Sequence, residues 1–360
     1  MSAAVMAADP SGFAERVTQW HEQSGRHDLP WQQPRSAYRV WVSEIMLQQT
    51  QVATVIDYFN RFMRRFPGVV ALADAPLDEV LHLWSGLGYY TRARNLHACA
   101  IRIRDEHDGV IPLDPAVLAQ LPGIGRSTAA AIVALAGSQR AAILDGNVKR
   151  VLSRYFAVDL VPGTAAAERR LWELSEQVTP AQDLVAYTQG IMDLGATLCV
   201  RSRPLCALCP LAEGCRARAL GQQHRLPRPR RRAQRGAREA VMLLAVDRNG
   251  AVLLEQRPAT GIWGGLWSPP EFHTASAARA YAAATLVDAD ESLASPAPLK
   301  HAFTHFDLTI VPLVMRCRGI SAVADGAGLM WYDSRAAARV GLPAPVAQLL
   351  DWLAPMVQPT

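Results

Sequence analysis

The sequence predicts a multidomain protein, an all-α part followed by an α+β part, and three observations carry that expectation. Apolar residues recur at helical spacing through the first two hundred residues. After Cys215 the composition turns to proline, arginine and glutamine, with little to pack. Beyond that stretch, short apolar runs are separated by Asp247-Arg248-Asn249-Gly250, and an Asn-Gly turn between two such runs signals a β-hairpin. The 360 residues suit two domains of ordinary size. The expected divisions are 1–215, a basic linker over 216–236, and 237–360.

In the first part, Val40, Trp41, Ile45, Met46 and Val52 form a helical stripe over 38–52. Val55, Phe59, Phe62 and Phe66 continue the spacing until Pro67-Gly68 stops it. Further helices are expected over 95–103, 127–136, 148–156 and 184–198. In the second part, 240–246 and 251–255 pair as the hairpin, 275–286 reads as a helix, and 301–318 as a long β-rich run. No repeat at solenoid spacing is present.

Half of the residues are apolar, enough for packed cores. No apolar run is long enough to span a bilayer, and the first ten residues lack a basic region followed by an apolar stretch. A soluble, cytoplasmic protein with no membrane partner is expected. The net charge is +5, and eight arginines with no acidic residue fall within 216–235. Such a run is either a solvated linker or a phosphate-contacting stretch.

Of six cysteines, four crowd into one segment, Cys199-x6-Cys206-x2-Cys209-x5-Cys215. In a reducing compartment this clustering points to metal before disulfides. Zinc sites usually pair two C-x2-C knuckles and this segment has one, so the residues alone leave zinc and an iron–sulfur cluster both open. Following Met192-Asp193-Leu194-Gly195, the pattern resembles the endonuclease III superfamily of DNA glycosylases. The resemblance implies a [4Fe–4S] cluster on Cys199, Cys206, Cys209 and Cys215, largely structural and redox-sensitive on DNA. It makes Arg201 and Arg203, in the loop Val200-Arg201-Ser202-Arg203-Pro204, candidate contacts to the DNA backbone. Cys99 and Cys317 read as ordinary core or surface residues.

Leu121-Pro122-Gly123-Ile124-Gly125-Arg126-Ser127-Thr128-Ala129 sets Gly123 and Gly125 just before an apolar helix. Glycines permit a tight turn, and a helix start offers unpaired N–H groups to a phosphate. In this setting the segment resembles the helix–hairpin–helix of the same superfamily. Members that also cut the strand carry a lysine where Ser127 stands, so the resemblance implies base removal without an efficient lyase step. Lys149 is not expected to be catalytic.

Asp145, in Ile143-Leu144-Asp145-Gly146-Asn147-Val148-Lys149-Arg150, precedes a helix start and reads by itself as an N-cap. The superfamily's catalytic aspartate occupies this place, and Asn147 beside it is carried over as a DNA-binding residue. Breaking an N-glycosidic bond builds oxocarbenium character on the sugar, and the leaving base needs a proton. Glu44, in Trp41-Val42-Ser43-Glu44-Ile45-Met46-Leu47-Gln48-Gln49-Thr50, is flanked by apolar residues, and burial would keep it protonated. This string resembles the adenine DNA glycosylase family, often called MutY, in which the glutamate protonates adenine and then activates water.

An enzyme acting on a stacked base must flip it out. Gly86-Leu87-Gly88-Tyr89-Tyr90 resembles the family's intercalation loop, with Leu87 or Tyr89 as wedge; packing of an aromatic core loop is the plain alternative. The same resemblance implies that Gln49 lies near the opposite guanine and that Trp31 and Gln189 line the adenine pocket. Gly264-Gly265-Leu266-Trp267-Ser268-Pro269-Pro270 and its surroundings resemble a Nudix fold, but 275–286 has no glutamate to hold magnesium, so pyrophosphatase activity is not expected. Phe303-Thr304-His305-Phe306 resembles the family's lesion-recognition loop, usually Phe-Ser-His, with Thr304 adding a methyl. Taken together the resemblance implies a monomeric, monofunctional glycosylase acting on double-stranded DNA with adenine opposite 8-oxoguanine or guanine. The basic linker is a candidate contact for other repair proteins. A bifunctional pyrimidine glycosylase is opposed by Ser127 and the C-terminal part, and a non-catalytic DNA-binding scaffold by Glu44 and Asp145.

Overall fold

Most of the first two hundred residues form helices, joined by short turns. The structure, a computed structural model, describes residues 10–137, 139–229, 235–321, 328–333, 335 and 340–356. In chain order its first helices are α1 (Phe13–Ser24), α2 (Ala37–Leu47), α3 (Val52–Arg65), α4 (Val69–Ala73), α5 (Leu77–Trp84), α6 (Thr91–Glu106), α7 (Pro115–Leu118), α8 (Arg126–Ile132), α9 (Gly146–Tyr155), α10 (Ala165–Val178), α11 (Leu184–Thr197) and α12 (Arg216–Ala219). Side-chain caps start several of them: Ser36 accepts the Arg39 N–H at 3.3 Å for α2, and Thr164 accepts the Ala167 N–H at 3.3 Å for α10. The helix expected over 38–52 is broken in two. Gln49 takes a left-handed backbone, φ 60°, which a right-handed helix cannot contain, so α2 ends at Leu47 and α3 begins at Val52. The helix expected over 127–136 is α8 followed by a π-helical turn, Val133–Gly137.

The chain divides into two compact units that do not follow its linear order. One comprises Met1–Asp74 and Asn95–Arg231, the other Ala75–Arg94 and Arg232–Thr360. In the first unit, Phe13 and Val17 of α1, Val148, Leu152 and Tyr155 of α9, Leu171 and Leu174 of α10, and Tyr187, Ile191 and Leu194 of α11 form one core. Cys199, Cys209 and Cys215 pack against it. Gly195 lets α9 press on α11: a Cβ there would stand 2.6 Å from Asn147 Cβ and 3.0 Å from its backbone. The stretch expected as a basic linker is fastened at two places among its described residues. Its start is α12, Leu226 is buried, and the Leu226 carbonyl accepts from Arg154 Nε at 2.9 Å. Residues 230–234 of the basic run lie outside the described residues.

The second unit is built on β1 (Gly236–Val246), β2 (Val252–Gln256), β3 (Trp267–Ser268), β4 (Glu271–Phe272), α13 (Ala275–Thr285), β5 (Leu286–Val287), β6 (Leu299–Ala302), β7 (Phe306–Arg316), β8 (Gly319–Ile320), β9 (Leu329–Tyr332) and α14 (Ala344–Leu353). The main sheet runs β3-β2-β1-β7-β6, with β4 also on β1 and β9 on β2; β5 and β8 make a separate pair. The expected hairpin is β1–β2, antiparallel, with Val246 opposite Val252. β1 and β7 pair in parallel from Gly236↔Phe306 to Val246↔Arg316. Parallel neighbours need a long crossover, and the chain from β2 to β6 supplies it. Val241, Leu243 and Ala245 of β1 meet Ala278 and Ala282 of α13, while the alternate residues Met242, Leu244 and Val246 are buried on the opposite face. α13 carries no acidic residue. The excursion Ala75–Arg94 is clasped into this unit by side chains: Tyr90 Oη donates to the Leu342 carbonyl (3.3 Å), Ser85 Oγ accepts the Leu342 N–H (3.2 Å), and Trp267 Nε1 donates to Asp78 Oδ2 (3.3 Å). Among the described residues no helix is long and apolar enough to cross a membrane.

Candidate active site and cysteine segment

Glu44 sits on α2 between fully buried Trp41 and nearly buried Ile45. One side of it opens on a cavity of about 720 Å³ in the first unit, which Asp145, Ser127, Trp31 and Gln189 also line. Burial pushes the Glu44 carboxyl up from 4.5 to about 8, and the charge of Asp145 adds to the shift. At neutral pH the group is an acid holding its proton, set in a cavity large enough for a base.

Asp145 is an N-cap and faces the cavity at once. Its Oδ1 accepts the Val148 N–H at 2.7 Å, and its Oδ2 accepts Asn147 Nδ2 at 3.2 Å. Burial raises its pKa; the N–H groups of Val148 and Asn147 and the charge of Arg150 oppose that rise. Arg150, one helical turn on, donates from Nη2 to Asn147 Oδ1 (2.8 Å) and to the Gly195 carbonyl (2.6 Å), and from Nε to the Cys199 carbonyl (2.7 Å). A continuous polar path therefore runs from Asp145 through Asn147 and Arg150 to the backbone of the first cysteine of the cysteine segment.

The other expected pocket residues divide. Trp31 is buried edge-on to Phe59, ring centroids 5.4 Å apart, and lines the cavity. Gln189, on α11, lines it too and donates from Nε2 to Asp193 Oδ1 at 2.9 Å. Gln49 is exposed at the break between α2 and α3, where its neighbours Gln48 and Gln51, rather than Gln49, line the cavity.

The turn between α7 and α8 has the glycine geometry its sequence demands. Gly123 adopts φ 76°, and a Cβ there would come within 2.8 Å of Asn95 Cβ. Gly125 is the extended N-cap of α8, leaving open space where a Cβ would be. Ser127, in the first turn of α8, accepts the Leu144 N–H on its Oγ at 2.9 Å. Lys149 is engaged by Glu168 at 2.7 Å.

Cys199, Cys206, Cys209 and Cys215 all line one pocket at the edge of the first unit's core, beside Val151, Leu194 and Leu211. None is in a disulfide. Among the described residues no three His, Cys, Asp or Glu side chains converge closely enough to grip a single ion. Burial, with the neighbouring cysteines, pushes the Cys209 thiol up to about 12, so a bound cation is what would let four thiolates coexist there. Arg154 is the organiser of the segment: its buried guanidinium donates to the carbonyls of Cys199 (3.2 Å), Val200 (2.8 Å) and Arg201 (3.1 Å) and reaches Cys199 Sγ at 3.3 Å. Arg201 is exposed at the rim of the Glu44 cavity, and Arg203 is exposed with φ 56°.

In the second unit, a pocket of about 380 Å³ brings Tyr89 together with Trp263, His301, Phe303 and Thr304. Tyr89 Oη lies 3.4 Å from Thr304 Oγ1. Phe303 is ringed by Trp263 (5.3 Å), His301 (4.7 Å) and Phe306 (4.7 Å), and its N–H donates to the Phe306 carbonyl, closing the β6–β7 turn. His305 is exposed on that turn and does not line the pocket. Of the two expected wedges, Leu87 is 6% exposed and Tyr89 47%. In this loop Gly86, Gly88 and Tyr89 all take positive φ.

Sequence reasoning passed over Arg26, Arg150, Arg154 and Asp193. For Asp193 a signal existed: it is the one charge on the otherwise uncharged helix α11.

Comparison with known proteins finds an earlier and a later match, the earlier one running through the excursion Ala75–Arg94. Residues 42–177 match the HhH-GPD superfamily of base excision DNA repair proteins, and residues 241–352 match the NUDIX domain. An adenine DNA glycosylase of Buchnera aphidicola subsp. Acyrthosiphon pisum is 36% identical over 342 residues, covering 94% of this chain and 97% of its own. That of Rattus norvegicus is 35% identical over 395 residues, covering 92% of this chain and 76% of its own. Among solved structures, a thermostable thymine-DNA glycosylase is similar with a TM-score of 0.53 and 26% identity, over 59% of this chain and 97% of that one.

Proposed function

Because the chain belongs to the adenine DNA glycosylase family, we propose that it binds double-stranded DNA and hydrolyses the N-glycosidic bond of an adenine flipped into the Glu44–Asp145 cavity. The observation that carries this reading is the pairing of one proton-holding carboxyl and one capped carboxylate on a single cavity with room for a base. Glu44 gives its proton to purine N7, so the base leaves as a neutral molecule when the bond from N9 to C1′ breaks with its electron pair. Asp145 meets the positive charge that grows on the sugar. Glu44, now a carboxylate, takes a proton from the water that adds at C1′. Trp31 and Gln189 form walls of the base pocket. Ser127 offers no amine for a Schiff base, so the product is an abasic site on an intact strand.

The mispair is read elsewhere. Adenine opposite 8-oxoguanine, or guanine, is the substrate this reading favours, with Tyr89, Phe303, Thr304 and His305 on the lesion side and Gln49 at the opposite base. Leu87, buried in this structure, is the second candidate wedge. The turn at Gly123 and Gly125 and the side chains of Asn147, Arg201 and Arg203 contact the DNA around the site. A [4Fe–4S] cluster on Cys199, Cys206, Cys209 and Cys215 would tie the segment into one rigid loop and add a redox-sensitive charge beside Arg201. Residues 1–215 carry the chemistry, 216–236 link, and 237–360 sense the lesion.

Single-turnover adenine release tests the reading, with wild type and Asp145→Asn compared on duplexes carrying adenine opposite 8-oxoguanine, guanine or thymine. Release from the two mispairs, lost in the variant, is the expected result. A wild type that binds the duplex and releases nothing from any of the three would overturn it.

A further inference from the structure

Asp193 has no exposed surface and does not line the Glu44 cavity, yet it holds two side chains that do, Arg26 and Gln189. The Arg26 backbone N–H donates to Oδ2 at 2.8 Å, and its guanidinium clasps Oδ1 through Nε at 2.9 Å and through Nη2. His21 Nε2 lies 3.9 Å from Oδ2. Gln189, one turn earlier on α11, donates its amide Nε2 to Oδ1 at 2.9 Å. A carboxylate paired with a guanidinium only accepts. Turning the Gln189 amide over would therefore set Oε1 against Oδ1, oxygen to oxygen.

We propose that Asp193 is a positioning residue that fixes the hydrogen-bond polarity of the base pocket, so that Gln189 accepts from a purine bearing an amino group at C6 and rejects one bearing a carbonyl there. This rests on the reading of the cavity as the adenine site. With Nε2 tied back to Asp193, the other limb of the amide is the acceptor Oε1. Adenine offers a donor at C6. Hypoxanthine has the same purine frame and the same N7 for Glu44 to protonate, but it offers an acceptor at C6. The pocket would meet it oxygen to oxygen, and a buried polar group left without a partner lowers binding by roughly 10- to 100-fold.

The test uses the full chain with its metal and two readouts. Single-turnover release of adenine and of hypoxanthine, each opposite 8-oxoguanine, gives a rate ratio. Binding of duplexes with 2′-fluoro-deoxyadenosine or 2′-fluoro-deoxyinosine, which resist cleavage, gives an affinity ratio without chemistry. Wild type is expected to favour adenine by ~10- to 100-fold in both. Asp193→Asn frees the amide to turn over, and both ratios should fall toward one. An Asp193 with a merely structural role would lower both substrates together and leave the ratios unchanged, which overturns the proposal. Should Asp193→Asn not fold, Gln189→Leu, which leaves the Arg26–Asp193 pair intact, decides: an unchanged ratio refutes the polarity role. Wild type that releases adenine yet binds both fluorinated duplexes equally refutes this proposal and leaves the glycosylase reading standing. Wild type that releases neither base brings down both.

Discussion

Ser127 Oγ accepts the backbone N–H of Leu144, the residue before Asp145, at 2.9 Å. The hydroxyl that stands where a strand-cutting relative would carry a lysine thus braces the segment that delivers the carboxylate. Ser127→Ala should leave that N–H without its acceptor and cost about 1–3 kcal/mol. A thermal melt should show the loss, with slower single-turnover base release as Asp145 loosens. A variant with unchanged melting and rate would mean the bond has no such role.

Glu44 sets a pH dependence with two readable signs. Its folded pKa, about 8, lies above its unfolded value of 4.5. Its contribution to stability is therefore fully present below pH 4.5 and is lost as pH rises through about 8. Glu44→Gln, neutral at every pH, should gain stability relative to wild type across that window, seen as a growing difference in urea midpoint. Base release by wild type should decline as pH passes about 8, while the variant should be slower by ~10²- to 10⁴-fold below that pH, the gap narrowing above it.

Tyr89 and Thr304 meet at 3.4 Å in the second unit's pocket. Removing the phenol hydroxyl by Tyr89→Phe should leave the melting temperature alone and reduce the preference for 8-oxoguanine over guanine opposite adenine. The loss expected from one hydrogen bond is ~3- to 10-fold in the ratio of single-turnover rates. Equal loss on both duplexes would assign Tyr89 to general DNA contact.

Arg154 fastens the cysteine segment at the carbonyls of Cys199, Val200 and Arg201, and the basic stretch at the carbonyl of Leu226. Arg154→Met keeps much of the volume and none of the donors. It should destabilise the protein by at least ~2 kcal/mol and lower the iron bound per chain, measured by denaturation and metal analysis. Full iron content in that variant would show that the cysteines suffice to shape the loop.

How far the sequence could be read depended on whether a residue acts through its neighbours along the chain. The cysteine spacing, the glycine turn before α8, the capping position of Asp145 and the β1–β2 hairpin are local patterns, and each was legible. Glu44 was legible because the stripe around it is apolar. The parallel pairing of β1 with β7 was not, since nothing in a strand announces a distant partner. Arg26 and Asp193, which clasp each other from α11 and the segment before α2, are separated by 167 residues, and only the fold makes them a pair. The break at Gln49 was missed because the apolar spacing continues across it while the backbone does not. Leu87, expected as a wedge from the resemblance of its loop, is buried in this structure, which the spacing of the loop does not announce.

The excursion Ala75–Arg94 belongs to a unit whose remaining residues begin at Arg232, and this imposes an order on biosynthesis. A nascent chain carries Ser85, Tyr90 and Asp78 out of the ribosome long before Leu342 and Trp267 exist to receive them. Until then water must serve those groups. The clasp can close only once translation has run past residue 342.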